Sequence, residues 1–600
     1  MADSDEHIVD FISGKQVKST PEEIQAVQPF SKILVDDYGY PKSHIQTRPQ
    51  WHVKVRPSDT KKEYPVDIAV FTDPNHCDDN FFIVVECKKK NRKDGRTQLE
   101  DYMRLSKAYL GVWYNGEERM YLRKIEKDGK VLFEEIPNIP RYGERLEDLG
   151  KFRRKDLRPA ENLRGTFKAI RNYLAANTVG ITRDETFASQ MINLIFCKIY
   201  DERFTKPDDI VSFRAGLNEE ASAVEKRVRA LFKKVKLQYT DVIHENDEIT
   251  FDAKSLQYIV GELQLYSLQS SSRDAVGAAF EVFIGPSLKG GQGQFFTPRN
   301  VVEMAVDIVD PGPHDKIIDP ACGSGGFLVE GLRYVWKKTE LEGEELGWPR
   351  SEIDAEKQKV AIKNFFGIDK DSFLSKVAKA YLAILGDGRG GVHCENSLDN
   401  PSDWKTETQN DIRLGTFDIV LTNPPFGKKL SIDSEGILSR YDLGHRWAQD
   451  PEGNYVKGKR YDKQPPQILF IERCLDLLKP GGKMGIVLLE SIFGMPKYRY
   501  VVDYIKRRAK IMAVVTLPEE VFQPETHAKC CVLVCQKLTE DELRNGTGDY
   551  DIFMCQTKWC GHDSRGNKTV ANLANGKEVL LDDIPKVAGE YRRIMLGVSS

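Results

Sequence analysis

The sequence predicts an α/β fold, a parallel sheet flanked by helices, and three segments carry that expectation. Residues 316–328 read as a strand, a glycine turn and a helix. Residues 365–371 read as a second strand ending in acidic residues, and residues 418–427 as another that stops at Asn423, Pro424, Pro425 and Phe426. Prolines cannot donate to a sheet, so that last strand must end there and present Asn423 at its C-terminal edge. In open α/β sheets the crevice along that edge is where ligands sit. An amide oxygen and the carbonyl of Pro424 can accept both hydrogens of an exocyclic amine, while Phe426 stacks on the ring that bears it.

Six hundred residues leave room for three or four domains, and 40% hydrophobic with 30% charged content fits a water-soluble globular chain. No apolar run approaches a membrane span, and residues 1–10 are acidic, unlike a secretion signal. The eleven cysteines are scattered, with Cys87, Cys530, Cys531 and Cys535 inside apolar runs, so reduced thiols and a cytoplasmic location are expected. Cys555, Cys560 and His562 lack a fourth partner at zinc-ligand spacing and read as structural. A net charge of −3 means that any nucleic-acid contact must come from local basic patches.

Residues 34–40 read as a helix end running into a glycine turn, after which residues 64–71 and 80–88 form two apolar strands. They carry Asp67, then Glu86 and Lys88 two apart on one face. Asp67 and Glu86 make a minimal oxygen-ligand set for Mg²⁺, and Lys88 could orient or deprotonate an attacking water. Gln98 and Tyr102 follow at helical spacing, and residues 108–116 read as a further strand and turn. Lys88 to Lys93 and Arg96 form a basic run suited to phosphate.

A charged linker near residue 151 precedes segments 162–177, 186–203 and 221–236, whose apolar residues recur at helical steps. A further helix is expected over 273–283. In Gly293-Gln-Phe-Phe-Thr-Pro298, Thr297 is expected as the N-cap and Pro298 as the first residue of a helix over 299–309. Asp319 closes the strand before the turn in which Gly323, Gly325 and Gly326 let the backbone approach a ligand at a helix N-terminus. Asp369, ending the second strand, is placed to bind ribose hydroxyls. Residues 392–398 read as a third strand edge, 467–478 as a helix, 479–482 as a turn and 483–490 as a strand. Residues 427–466 read as a long polar loop whose Lys428, Lys429, Arg440, Arg446, Lys457, Lys459 and Arg460 suit a nucleic-acid surface.

Two resemblances follow from these residues. Around residues 38–123, the Asp67, Glu86, Lys88, Gln98, Tyr102 set resembles the PD-(D/E)xK nuclease domain at the N-terminus of type I restriction subunits. This implies a Mg²⁺ site on Asp67 and Glu86, catalysis with Lys88, and support from Gln98 and Tyr102. Over residues 157–537 the order of Gly-Gln-Phe-Phe-Thr-Pro, Asp-Pro-Ala-Cys-Gly-Ser-Gly-Gly-Phe-Leu, Asn-Pro-Pro-Phe-Gly and the later segment 515–524 resembles the modification subunit of type I restriction–modification systems. That resemblance implies a Rossmann-like, S-adenosylmethionine-dependent methyltransferase core. Its cofactor residues would be Phe296, Thr297, Pro298, Asp319, Pro320, Ala321, Gly323, Ser324, Gly325, Gly326, Phe327, Asp369 and Asn396, the last standing where many relatives have Asp. Asn423, Pro424, Pro425 and Phe426 would be catalytic on a base flipped out of the duplex.

The implied organisation is a nuclease-like domain over 1–150, a helical domain over 151–285, the methyltransferase core over 286–540 and a C-terminal extension over 541–600 that contacts a subunit. About sixty residues after 537, with a hairpin-like pattern at 550–559, are too few to read a major groove. A separate specificity subunit, double-stranded DNA and a hetero-oligomer are therefore expected. No phosphate-binding Gly-x-x-x-x-Gly-Lys-Ser/Thr occurs, so cutting is expected without an ATP-driven motor, as in bifunctional type IIB-like enzymes. The alternatives are a modification-only subunit with an inactive, DNA-binding N-terminal domain, and methylation of cytosine N4 in place of adenine N6.

Overall fold

A computed structural model describes residues 7–597 apart from 55–61, 91, 93, 161, 178–183, 241, 272–275, 277–278, 280–281, 283–296, 387–390, 427–429, 524–525 and 573–577. The helix expected over 273–283 falls mostly on residues outside that description, as do Gly293 to Phe296 and Lys428 and Lys429. The chain divides into two compact units, residues 1–284 and 285–600.

The first unit is built on six strands: β1 (Ile45–Gln46), β2 (Ile68–Phe71), β3 (Phe81–Cys87), β4 (Leu110–Tyr114), β5 (Arg119–Lys127) and β6 (Lys130–Glu135). They lie in the order β6-β5-β4-β3-β2-β1, with only β3 and β4 parallel. Strand β3 is apolar on both faces because both are covered. Ile83, Val85 and Cys87 share a core with Phe30 and Ile33 of helix Gln28–Asp36, while Val84 packs with Leu99 and Tyr102 of helix Arg96–Arg104. The stretch 64–71, expected as one strand, splits at Asp67. Lys62–Val66 pairs with Trp51–Lys54 in a separate ribbon, and Ile68–Phe71 enters the main sheet. The break leaves Asp67 at a bend between two ladders.

Helices Leu163–Asn177, Asp184–Phe204 and Ala221–Gln238 form where the spacing predicts them, followed by Ala253–Leu263. The boundary expected near residue 150 does not separate compact bodies, because these helices belong to the same unit as the sheet. Val211 and Leu265 enter the core of β3 and β4. Gly261 sits where a side chain would strike the Pro137 carbonyl, its added Cβ falling 2.5 Å from that oxygen. Arg119 on β5 pairs with Glu262 at 3.0 Å, with the two side chains 3% and 1% exposed. Removing one partner of a buried pair strands the other charge and costs about 3–5 kcal/mol, whereas replacing both by apolar groups is near neutral. Arg119→Met should therefore lower amide protection in β5 and in helix Ala253–Leu263 together, and Arg119→Met with Glu262→Leu should recover most of it. Hydrogen exchange measures both.

The main sheet of the second unit has eight strands: β7 (Ile317–Asp319), β8 (Phe365–Asp369), β9 (Gly391–Cys394), β10 (Phe417–Thr422), β11 (Leu478–Leu489), β12 (Ala509–Thr516), β13 (Cys530–Lys537) and β14 (Phe553–Gln556). Their order is β9-β8-β7-β10-β11-β13-β12-β14. The first five are mutually parallel, and β13 runs antiparallel to both neighbours. Chain order reverses between β7 and β10, which opens a crevice at their C-terminal ends. Residues 479–482, expected as a turn before a strand, are a bulge within β11. Phe417 pairs with Leu478 and Ile419 with Lys483, so four residues stand opposite one. The pattern at 550–559 makes no hairpin; Phe553–Gln556 adds a parallel edge strand to β12, and helix Ile584–Met595 follows it. Arg592 donates to the Asp307 carbonyl and Asn300 to Asp582, so residues beyond 540 join this unit and form no separate body.

The segment after Asn-Pro-Pro-Phe is more ordered than a loop. It holds helix Glu435–Arg440 and the ribbon His445–Gln449 with Tyr455–Arg460. Its expected DNA-facing cations are largely paired: Arg446 with Asp462 (3.6 Å), Lys457 with Asp442 (2.8 Å) and Arg460 with Glu435 (3.1 Å).

Candidate active sites

In the first unit, Ile68 faces Val85 across the β2–β3 ladder, which brings Asp67 beside Glu86. Asp67 Oδ2 accepts from the Cys87 amide at 2.7 Å. Lys88, just past the end of β3, pairs through Nζ with Glu86 Oε1 and donates to Gln98 Oε1 at 3.3 Å. Gln98 Nε2 donates to the Tyr102 hydroxyl (2.6 Å), which donates to the Pro65 carbonyl (3.0 Å). All five expected residues thus form one cluster, and Gln98 and Tyr102 tie helix Arg96–Arg104 to it.

The electrostatics are those of a strained pair. Burial pushes the Asp67 carboxyl up to about 6, against the Cys87 hydrogen bond. Burial and the neighbouring Asp67 charge push Glu86 up to about 8 despite Lys88. Burial is the largest single influence on the Lys88 ammonium and works against it, but the hydrogen bond to Glu86 and the charges of Glu86, Asp67 and Glu22 together raise its pKa. Glu22, before the Glu23–Val27 turn, adds negative potential at Asp67, Glu86 and Lys88. Sequence reasoning missed it because nothing in Pro21-Glu22-Glu23 announces its distance from residues 67 and 86. Among the described residues no group of three or more His, Cys, Asp or Glu side chains could hold a metal ion. The basic run beside the site is partly engaged: Lys90 pairs with Glu117, Arg92 with Asp94 and Arg96 with Glu100.

In the second unit a cleft of about 890 Å³, including its open mouth, lies at the switch point of the sheet. Pro320, Ala321, Gly323, Asp369, Asn396, Asn423, Pro424, Pro425 and Phe426 line it together, although they span over one hundred positions of the chain. Asp369 Oδ2 accepts from Gly323 N–H (2.9 Å) and Oδ1 from Asp371 N–H (2.9 Å), which locks the second strand's acid to the glycine turn. Burial raises its pKa despite these bonds. Asp319, beneath the turn, accepts from Ala321 N–H (3.0 Å), and burial pushes it up to about 7. Gly325 takes φ +89° at the start of helix Gly326–Glu345, where a Cβ would lie 3.2 Å from that of Ala378. Ser324, Gly325, Gly326 and Phe327 stand outside the cleft wall, and Phe327 is buried.

Thr297 does not cap its helix. Pro298, extended at ψ 140°, occupies the cap position of Arg299–Val309 and offers no side-chain hydrogen bond. The Thr297 hydroxyl accepts instead from Asn423 Nδ2 at 2.9 Å. Asn423 Oδ1 is buried without a hydrogen-bond partner among the described residues. Phe426 is 3% exposed and meets the Phe522 ring edge-on at 5.8 Å. Phe522 belongs to the late segment 515–524, which therefore supports the aromatic wall. Asn396 uses its amide internally, donating to Asp399 Oδ1 (3.0 Å) and accepting from Leu398 N–H (3.2 Å). Sequence reasoning missed Lys370, Leu374, Glu395, Ile432, Pro466 and Phe470 in the wall. All but Leu374 lie within segments the sequence marks out, but only the fold reveals which of their side chains turn to the cleft.

Residues 271–571 match the protein-family model described as N-6 DNA Methylase, and residues 21–140 the one described as Type I restriction enzyme R protein N terminus. The chain is 22% identical over 437 residues to the type I restriction enzyme StySPI methylase subunit of Salmonella potsdam, covering 68% of this chain and 75% of that protein. It is 23% identical to the EcoEI methylase subunit of Escherichia coli, covering 57% and 63% respectively. A solved methyltransferase subunit of a type I restriction–modification system from Streptococcus thermophilus aligns at 16% identity and a TM-score of 0.46, covering 72% of this chain and 92% of that one.

Proposed function

This chain belongs to the N-6 DNA methylase family, and from that premise we propose that it transfers a methyl group to adenine N6 in DNA as the modification subunit of a restriction–modification system. We propose further that its first unit cuts unmodified DNA with Mg²⁺, and that both activities are directed by a separate specificity subunit. Both curated relatives are named as methylase subunits, which supports an assembly of this kind.

The observation that carries the methyl-transfer reading is the bare Asn423 Oδ1 at the sheet edge. An unsatisfied buried acceptor costs about 1–3 kcal/mol, a penalty that a site recovers when its ligand donates. The lone pair of adenine N6 is delocalised into the ring and attacks poorly. Asn423 Oδ1 and the Pro424 carbonyl accept its two hydrogens and draw the nitrogen toward tetrahedral geometry. The Thr297 hydroxyl anchors the other end of the Asn423 amide, and the Phe426–Phe522 pair offers a wall for the flipped base. The opposite half of the cleft fits S-adenosylmethionine: a carboxylate for ribose hydroxyls at Asp369 and an open glycine turn beside it. When bound, that donor supplies an electrophilic methyl on sulfonium.

Asp67 and Glu86 fit Mg²⁺, which takes one or two carboxylates and keeps several waters. Two buried carboxylates that repel one another are stabilised by a divalent cation, which would supply a Lewis acid at the scissile phosphate. Lys88 then stands free to hold the attacking water. A modification-only role draws support from the Lys88–Glu86 pairing and from the absence of a third ligand among the described residues.

The deciding experiment combines the purified chain, its specificity partner, unmethylated DNA and labelled S-adenosylmethionine, followed by mass analysis of the nucleosides. N6-methyladenine is expected. N4-methylcytosine would overturn the base assignment, and no modified base would overturn the reading.

A further inference from the structure

Arg473 is 2% exposed, which makes it one of the largest fully buried side chains in the protein. It lies on helix Pro466–Leu477, whose Pro466 and Phe470 line the cleft. Burying a guanidinium carries a desolvation cost that an apolar side chain would avoid. Its hydrogen bonds explain its presence.

Arg473 Nη2 donates to the Asp399 carbonyl at 2.9 Å, and Nε donates to the Tyr441 hydroxyl at 2.8 Å. Tyr441 passes the interaction on by donating to the Leu398 carbonyl at 3.0 Å. The guanidinium also lies 5.3 Å from the Tyr441 ring centre and 5.9 Å from that of Trp404, while Trp404 Nε1 donates to the Asn396 carbonyl at 3.0 Å. Asn396 Nδ2 closes the turn on Asp399 Oδ1. Carbonyls 396, 398 and 399 are thus all held by one buried cation and the two aromatic rings around it, with Arg440 Nη1 adding a second donor to the Leu398 carbonyl at 3.2 Å. The front of the same turn, Asn396 to Leu398, is cleft wall on the side of Asp369 and Gly323.

We propose that Arg473 is a positioning residue that sets affinity for the adenosine end of the methyl donor by fixing the turn 396–399, acting through Tyr441 and Trp404 without touching the donor. The inference rests on the donor reading given above. Tyr441 also belongs to the segment inserted after Phe426, so the turn that shapes the cofactor pocket is braced by the segment nearest the target base.

The test uses the full chain with its specificity partner, S-adenosylmethionine as probe, and the variants Arg473→Met, Arg473→Lys and Tyr441→Phe. Arg473→Met should weaken donor binding about tenfold or more, because the donor must then order a turn that is no longer held in place. Its kcat at saturating donor should fall by a smaller factor. Arg473→Lys, which keeps the charge but reaches only one carbonyl, should recover part of the affinity. Tyr441→Phe removes one hydroxyl from the relay and decides the matter if Arg473→Met fails to fold: a several-fold loss of affinity supports the proposal. Donor affinity within twofold of wild type in Tyr441→Phe, or in a folded Arg473→Met, overturns it, as does a loss confined to kcat. Wild-type protein that does not bind the donor overturns the donor reading itself, and this inference with it.

Discussion

Replacing Asn423 by alanine is expected to lower the methylation rate about 10²–10³-fold, the effect of removing one preorganised polar group aimed at the reacting atom. Donor affinity should change little, because Asn423 Nδ2 is tied to Thr297 and its oxygen, unpartnered among the described residues, is on the proposed reading reserved for the base. Single-turnover methylation alongside donor titration separates the two quantities. A fall in donor affinity as large as the fall in rate would place Asn423 in the wrong half of the cleft. Thr297→Val should give a smaller loss of rate in the same assay, since the amide then loses its anchor but keeps its acceptor.

Glu86→Ala should abolish Mg²⁺-dependent cleavage, by at least about 10³-fold, because several kcal/mol of charge stabilisation at the phosphate disappear with the cation. Methylation by the same preparation should persist, since Glu86 lies in the first compact unit and Asn423 in the second. Cleavage that survives the substitution would sink the nuclease reading. The raised carboxyl pKa values add a pH signature. Folding lifts Asp67 to about 6 and Glu86 to about 8, so from the ordinary carboxylate range at about 4 up to about 8 the folded state holds more protons than the unfolded chain. Stability of the first unit without metal therefore falls as pH rises through that window, and Glu86→Gln should flatten the dependence. A bound cation requires the deprotonated pair, so cleavage at subsaturating Mg²⁺ should climb over the same range.

Much of the second site was legible because its chemistry sits on local punctuation. A strand stopped by Pro424 and Pro425 can only present Asn423 at its end, and a glycine turn after Asp319 can only open a helix. What stayed hidden depended on contacts distant in the chain. Thr297 read as a helix cap, and the competing rule won: Pro298 took that position and left the hydroxyl for Asn423, 126 residues away. Arg473 drew no attention within the helix expected over 467–478, because the carbonyls it holds lie about seventy residues away in the chain. In the first unit the strand pattern placed Glu86 and Lys88, but the bend at Asp67 was invisible, since 64–71 reads as one continuous, mostly apolar run.

The Pro137–Gly261 approach and the Arg119–Glu262 pair bear on how this architecture could have been inherited. The sheet and the helices up to residue 284 are one body, although the resemblance to a restriction-subunit N-terminus stops at residue 140. A nuclease-like sheet acquired on its own would have brought Arg119 without Glu262 and a Pro137 carbonyl with no glycine to meet it. Joining such a sheet to this chain by recombination thus calls for a crossover near residue 284, or for later tailoring of the helical face. The proposed cutting site is more easily lost, because point changes at Asp67 or Glu86 leave that shared surface intact.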